Sequence, residues 1–178
     1  VFAMSMINVS GLTFGYDGSG VNLFENVSFR LDTNWRLGFT GRNGRGKTTF
    51  LKLLLGEYEY TGTISASVEF EYFPYTVPDE QADILSLAYS IADSFEQWEL
   101  ERELSLLGLP DDILYRTFST LSMGERTKVL LALMFIKSEC FMLIDEPTNH
   151  LDLNGRELVA RYLSSKRGFI LVSHDRSF

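Results

Sequence analysis

The 178-residue chain carries a formal charge of −8 from 16 basic and 24 acidic side chains, with 45% apolar residues, two histidines and one cysteine. A chain of this size buries a core without staples, and one cysteine excludes an internal disulfide and leaves too few soft ligands for a structural zinc site. The longest purely apolar run, Val129–Ile136, is far short of a bilayer span, and no basic segment leads into an apolar one at the N-terminus, so the chain reads as cytoplasmic.

In chain order, Ser5–Phe14 alternates loosely, and Val27–Leu31 and Arg36–Thr40 are short β-like runs separated by turns at Gly18, Gly20 and Asn34. Lys47–Leu55 has helical character and stops at Gly56, a favourable C-cap residue. Thr63–Phe73, rich in β-branched and aromatic residues, reads as two short strands or one bent strand. From Ala82 to Leu107 the apolar positions Ile84, Leu87, Ala88, Ile91, Trp98, Leu100, Leu104 and Leu107 predict helix.

Gly124–Lys137 is a further helix. Cys140–Ile144 is apolar on both faces and is stopped by Pro147, as a central parallel strand would be. Asn154–Leu163 reads as helix and Phe169–Val172 as a second buried strand. This alternation argues for an α/β core, with acidic helices over roughly residues 79–137 inserted as a lobe. Between Asp79 and Asp112 there are ten acids and one base, a local −9 that leaves +1 for the remainder. Residues 36–52 hold five bases (Arg36, Arg42, Arg45, Lys47, Lys52) and no acid. The basic stretch suits a polyanionic ligand, whereas the lobe is a poor surface for nucleic acid.

The chemistry concentrates in a few segments. Gly41-Arg-Asn-Gly-Arg-Gly-Lys-Thr48 fits the phosphate-loop pattern and sits after a strand and at the start of a helix. Its glycines let successive N–H groups turn toward phosphate oxygens, and the helix N-terminus adds its dipole. Lys47 is expected to reach the β- and γ-phosphates, and Thr48 to hold Mg²⁺. Asp145 and Glu146 end the apolar strand at the edge where α/β folds bind ligands. Asp145 is placed to support Mg²⁺, and Glu146 to orient or deprotonate an attacking water. Ser122 and Glu125 are spaced as a capping box for the helix that runs to Lys137; Ser122 and Gly124 also expose donors that could bind a second face of a triphosphate.

A phosphate loop, then Leu121-Ser-Met-Gly-Glu125, then a strand ending Asp145-Glu-Pro147, then Val172-Ser-His-Asp175, is the order found in ATP-binding cassette (ABC) domains. The chain resembles that family over nearly its whole length. The resemblance implies a P-loop NTPase fold, with an ABC-type core sheet, an N-terminal antiparallel β part and an inserted helical lobe. It implies an ATPase using ATP and Mg²⁺. The partner would be a second cassette, from the same parent chain or a second copy, because two domains sandwich ATP head to tail. The loop residues Gly41, Arg42, Asn43, Gly44, Arg45, Gly46, Lys47, Thr48 and Thr49 would hold the phosphates of one nucleotide, facing Ser122 and Gly124 of the other cassette. By similarity, Tyr16 would stack on adenine, with Phe14 as the substitute and a surface turn aromatic as the plainer reading. His174 would contact the γ-phosphate and the catalytic water, and Asp152 would bridge the two domains.

The segment Asp145-Glu-Pro-Thr-Asn-His-Leu-Asp152 resembles the ABC-F branch, paired-cassette proteins that act on ribosomes; transport subunits usually carry a small Ser-Ala type pair where Asn149-His150 stands. Gly41-Arg-Asn-Gly44 and the terminal His174-Asp-Arg-Ser-Phe178 look like the same branch. Arg45, the Thr48-Thr49 pair and the short middle region resemble members that protect ribosomes from antibiotics. The implied partner of the parent protein is the ribosome and its RNA, with no membrane partner. The competing readings are the energising subunit of a membrane transporter and a nucleotide-gated interaction module, against which Glu146 argues.

Two departures stand out. Tyr75 occupies the position where the family usually has a glutamine, with Gln81 six residues further on, and a phenol cannot supply an amide oxygen to Mg²⁺. The chain also reaches only Phe178, just beyond His174. The expectation is therefore the first cassette of a two-cassette protein, a domain over residues 4–178 lacking its final elements, weakly active alone, with Val1–Ala3 ahead of a native Met4.

Overall fold

A computed structural model describes residues 6–40, 45–137 and 139–174. Two sheets form. In the first, β1 (Met6–Phe14) is flanked by antiparallel partners β2 (Phe24–Asp32) and β4 (Thr61–Ala66). The second is parallel, in the order β3 (Arg36–Thr40), β7 (Phe169–Ser173), β6 (Cys140–Asp145) and β5 (Glu69–Phe73). The α/β class and the antiparallel part match the expectation.

Helix α1 (Arg45–Leu54) packs between the sheets. Its Phe50, Leu51, Leu53 and Leu54 share a buried cluster with Ile7, Val9 and Leu12 of β1 and with Phe141 and Leu143 of β6. The alternate β6 residues, Met142 and Ile144, enter a second cluster on the other face. There they meet α4 (Met123–Phe135) and α5 (Leu153–Ser164). The period of two in the strand is what sends an all-apolar segment into two cores. The second core continues without a break into α2 (Ile84–Ile91) and α3 (Gln97–Leu106).

The helical region predicted over Ala82–Leu107 consists of two helices, α2 and α3. The N-cap Asp83 accepts a hydrogen bond from the Ser86 N–H at 3.1 Å and starts α2, and a capping box between Glu96 and Glu99 starts α3. Two strong start signals within one apolar pattern divide it. Trp98, counted with the apolar face, is 56% exposed, and the Arg102 guanidinium lies 5.2 Å from its ring centroid. Thr63–Phe73 resolves into β4 and β5, which belong to different sheets.

Gly62 makes the β4 pairing feasible. Its φ is +98°, and a Cβ there would lie 2.4 Å from the Gly11 carbonyl oxygen, at the irregular stretch of the β1–β4 register. Backbone cannot yield as a flexible side chain can, so Gly62→Ala is expected to cost about 1–3 kcal/mol. Urea unfolding reads this directly, and an unchanged midpoint would refute the close-approach argument.

Candidate functional site

The parallel register brings the C-terminal ends of three strands to one edge. Thr40 of β3 lies opposite Ser173 of β7, and Val172 of β7 opposite Asp145 of β6. From that edge α1 begins, the Asp145-Glu146 pair emerges, and His174 leaves β7. Segments separated by about 100 and 30 residues are thereby assembled by strand order alone.

Of the expected phosphate-loop residues, Gly41, Arg42, Asn43 and Gly44 lie outside the described residues, and Arg45 opens α1. Gly46, Lys47, Thr48 and Thr49 form its first turns, which carry no acid. A Cβ at Gly46 would meet nothing within 4 Å, so protein packing does not demand glycine there, whereas close approach of a ligand would. The Thr48 hydroxyl donates to Asp145 Oδ2 at 3.0 Å. The Tyr72 hydroxyl donates to the same oxygen at 2.6 Å. Asp145 is buried, and its other oxygen, Oδ1, is buried without a hydrogen-bond partner. Burial, aided by the hydrogen bond to Asp145 and its negative charge, raises the Tyr72 pKa, so the phenol remains a donor.

This donor set fits Mg²⁺. A hard cation of this kind is held by one carboxylate, a hydroxyl and nucleotide phosphates rather than by an all-protein cage. Among the described residues there is no group of three or more His, Cys, Asp or Glu side chains that could hold a metal. Thr48 with Asp145 is the part such a shared site requires.

Glu146 has φ +50°, a left-handed conformation that costs a non-glycine residue about 1–3 kcal/mol and clusters at functional sites. Its N–H donates to the Val172 carbonyl at 2.8 Å, and its carboxylate accepts from the His174 N–H at 3.0 Å. His174 Nδ1 lies 2.9 Å from Glu146 Oε2. An ionised carboxylate only accepts, so this contact favours a proton on Nδ1. The two residues expected to act on one water are in direct contact.

Tyr16 follows β1 and is 43% exposed. Its hydroxyl hydrogen-bonds to Thr49 Oγ1, and its ring packs edge-on against Phe14 at 5.1 Å and Tyr58 at 5.8 Å. The aromatic is thus tied to the phosphate-loop helix. Ser122 is the N-cap of α4, in a complete capping box with Glu125. Gly124 packs against the 150–151 segment, where a Cβ would lie 3.3 Å from the His150 carbonyl. Asp152 is the N-cap of α5 and accepts from the Gly155 N–H at 2.7 Å.

Tyr75 is anchored to α4. Its hydroxyl donates to the Leu130 carbonyl of α4 at 2.8 Å, and burial raises its pKa. A cleft of about 240 Å³ separates this segment from the Asp145-Glu146 turn, lined by Tyr75, Arg126, Glu146 and His150 among others. Sequence reasoning missed Tyr72, whose place beside Asp145 comes from the pairing of β5 with β6, with Tyr72 opposite Leu143.

A parallel sheet in this order, with a helix opening on Gly-Lys-Thr after its edge strand, defines a P-loop NTPase core. A family model described as ABC transporter matches residues 24–149, and the chain belongs to that family. The chain is 33% identical to human ATP-binding cassette sub-family F member 3 over 99% of this chain and 26% of that protein. It is 30% identical to ABC transporter F family member 5 of Arabidopsis thaliana, over 98% of this chain and 26% of that protein. The ATP-binding protein Uup of Haemophilus influenzae is 34% identical over 92% and 27%. The chain therefore spans about a quarter of the length of these curated relatives.

A solved metal-chelate type ABC transporter in an inward-facing conformation matches with TM-score 0.74 and 25% identity, over 97% of this chain and 74% of that one. An ATP-binding protein from Pyrococcus furiosus shares the fold at TM-score 0.80 and 20% identity, over 96% and 92%. Among the described residues no helix is long and apolar enough to cross a membrane.

Proposed function

We propose that the chain is one cassette of a paired ABC ATPase of the ABC-F branch, acting through its parent protein on the ribosome, as a translation factor or in protection against antibiotics. The observation that carries the ATPase reading is the meeting of Thr48 with Asp145, beside Glu146 with His174, at one sheet edge. The phosphate loop and Lys47 would bind the triphosphate, and Tyr16 the adenine. Mg²⁺, held by Thr48 and Asp145, would neutralise phosphate charge. Glu146 would hold the attacking water and accept its proton, and His174 would orient both. Ser122, Gly124 and Asp152 would serve the facing nucleotide in the second cassette. Asn149-His150 and the F-type names of the curated relatives support the branch.

Catalysis of this kind is mostly positioning, so half a composite site turns over slowly. ATPase activity per chain is expected to rise with chain concentration, or on addition of a second cassette. Full activity in a strictly monomeric sample would contradict the reading.

A further inference from the structure

Asp145 is held asymmetrically. Oδ2 accepts from both Thr48, at 3.0 Å, and Tyr72, at 2.6 Å, while Oδ1 is buried and unpartnered. The two donors differ in kind. Thr48 belongs to the phosphate-loop helix and would itself meet the cation. Tyr72 stands on β5, one strand outward, and is locked there by parallel pairing with β6. A carboxylate turned by a fixed phenol keeps one orientation whether or not nucleotide is present, and leaves Oδ1 as its oxygen for a cation or the cation's water. Tyr75, at the position where an amide was expected, contributes nothing here because its hydroxyl is spent on Leu130.

We propose that Tyr72 is a positioning residue that presents Asp145 to the nucleotide-bound cation, so that β5 reaches the cation site through Tyr72 and not through Tyr75. This rests on the reading of Asp145 as a cation-binding residue. Partners that orient a metal's carboxylate are worth about 10- to 100-fold in metal affinity.

The test is Mn²⁺ affinity, by electron paramagnetic resonance, of the full chain loaded with a non-hydrolysable ATP analogue, alongside analogue affinity in EDTA. Tyr72→Phe should weaken Mn²⁺ about tenfold and leave the metal-free nucleotide affinity unchanged. Tyr75→Phe should leave Mn²⁺ affinity unchanged, and Asp145→Asn should weaken it at least as much as Tyr72→Phe. If Asp145→Asn weakens Mn²⁺ and Tyr72→Phe does not, the role of Tyr72 is overturned while the cation reading stands. If Asp145→Asn has no effect, the cation reading fails and the role of Tyr72 with it. A second readout needs no variant in hydrogen bonding: 3-fluorotyrosine incorporated at position 72 should shift its fluorine resonance when Mg²⁺ joins the nucleotide-loaded chain. An unmoved resonance counts against the proposal.

Discussion

Glu146→Gln is expected to lower ATP turnover of the paired protein by about 10²–10⁴-fold, the worth of a positioned general base, while ATP stays bound. The amide is nearly the same shape. It can keep the left-handed turn at φ +50° and still accept the His174 N–H, so the edge of the sheet is preserved. What it loses is the ability to take a proton. Single-turnover hydrolysis and retained nucleotide after gel filtration would be measured together. Turnover within about twofold of the parent, less than 0.5 kcal/mol of barrier, would remove Glu146 from the chemistry and favour a nucleotide-gated switch without a base.

The second large effect lies away from the nucleotide. Glu103 of α3 is 2% exposed, and Lys166, just past α5, places its Nζ 2.7 Å from Oε1 and 2.6 Å from Oε2. The Tyr162 hydroxyl also donates to this carboxylate. Lys166→Met would leave this buried charge with only the Tyr162 hydroxyl and the Arg102 guanidinium, which is 56% exposed and 3.5 Å away, and is expected to cost about 3 kcal/mol. Adding Glu103→Gln should restore much of that loss, because a neutral amide still accepts from Tyr162. Urea unfolding of the three proteins decides it. If the double variant is no more stable than Lys166→Met, the loss does not come from the uncompensated charge.

The same pair shows where sequence reasoning stopped. Glu103 is one of the ten acids between Asp79 and Asp112, and nothing local separates it from its solvated neighbours. Its partner is 63 residues away, just past α5, a distance that periodicity does not encode. Strands were legible because apolar runs such as Cys140–Ile144 are buried on both faces, and α1 because glycine and a strand bracket it. The acidic segment was legible as helical, while the place of the break between α2 and α3 rests on the caps at Asp83 and Glu96. At the candidate site, Thr48, Asp145 and Glu146 could be named from their motifs and His174 from the family resemblance, and the sheet edge brings the four into two contacting pairs. Tyr72 was not legible, since a tyrosine in a strand is ordinarily packing, and only the pairing of β5 with β6 gives its hydroxyl a partner.

The basic run from Arg36 to Lys52 also divides. Arg36 donates to the Ser164 carbonyl and Lys52 pairs with Glu57 at 4.0 Å, so part of that charge serves the fold. Lys47, in the first turn of α1, is the base on which nucleotide binding is expected to depend.

Fluorescence titration of Mg-ATP onto the full chain and onto Lys47→Ala tests the central claim most directly. Saturable binding is expected, weakened about 10- to 100-fold by the substitution, the worth of hydrogen bonds to a charged group. Equal binding by both proteins, or no saturation of the parent by about 1 mM ATP, would contradict an ATP site built on this loop.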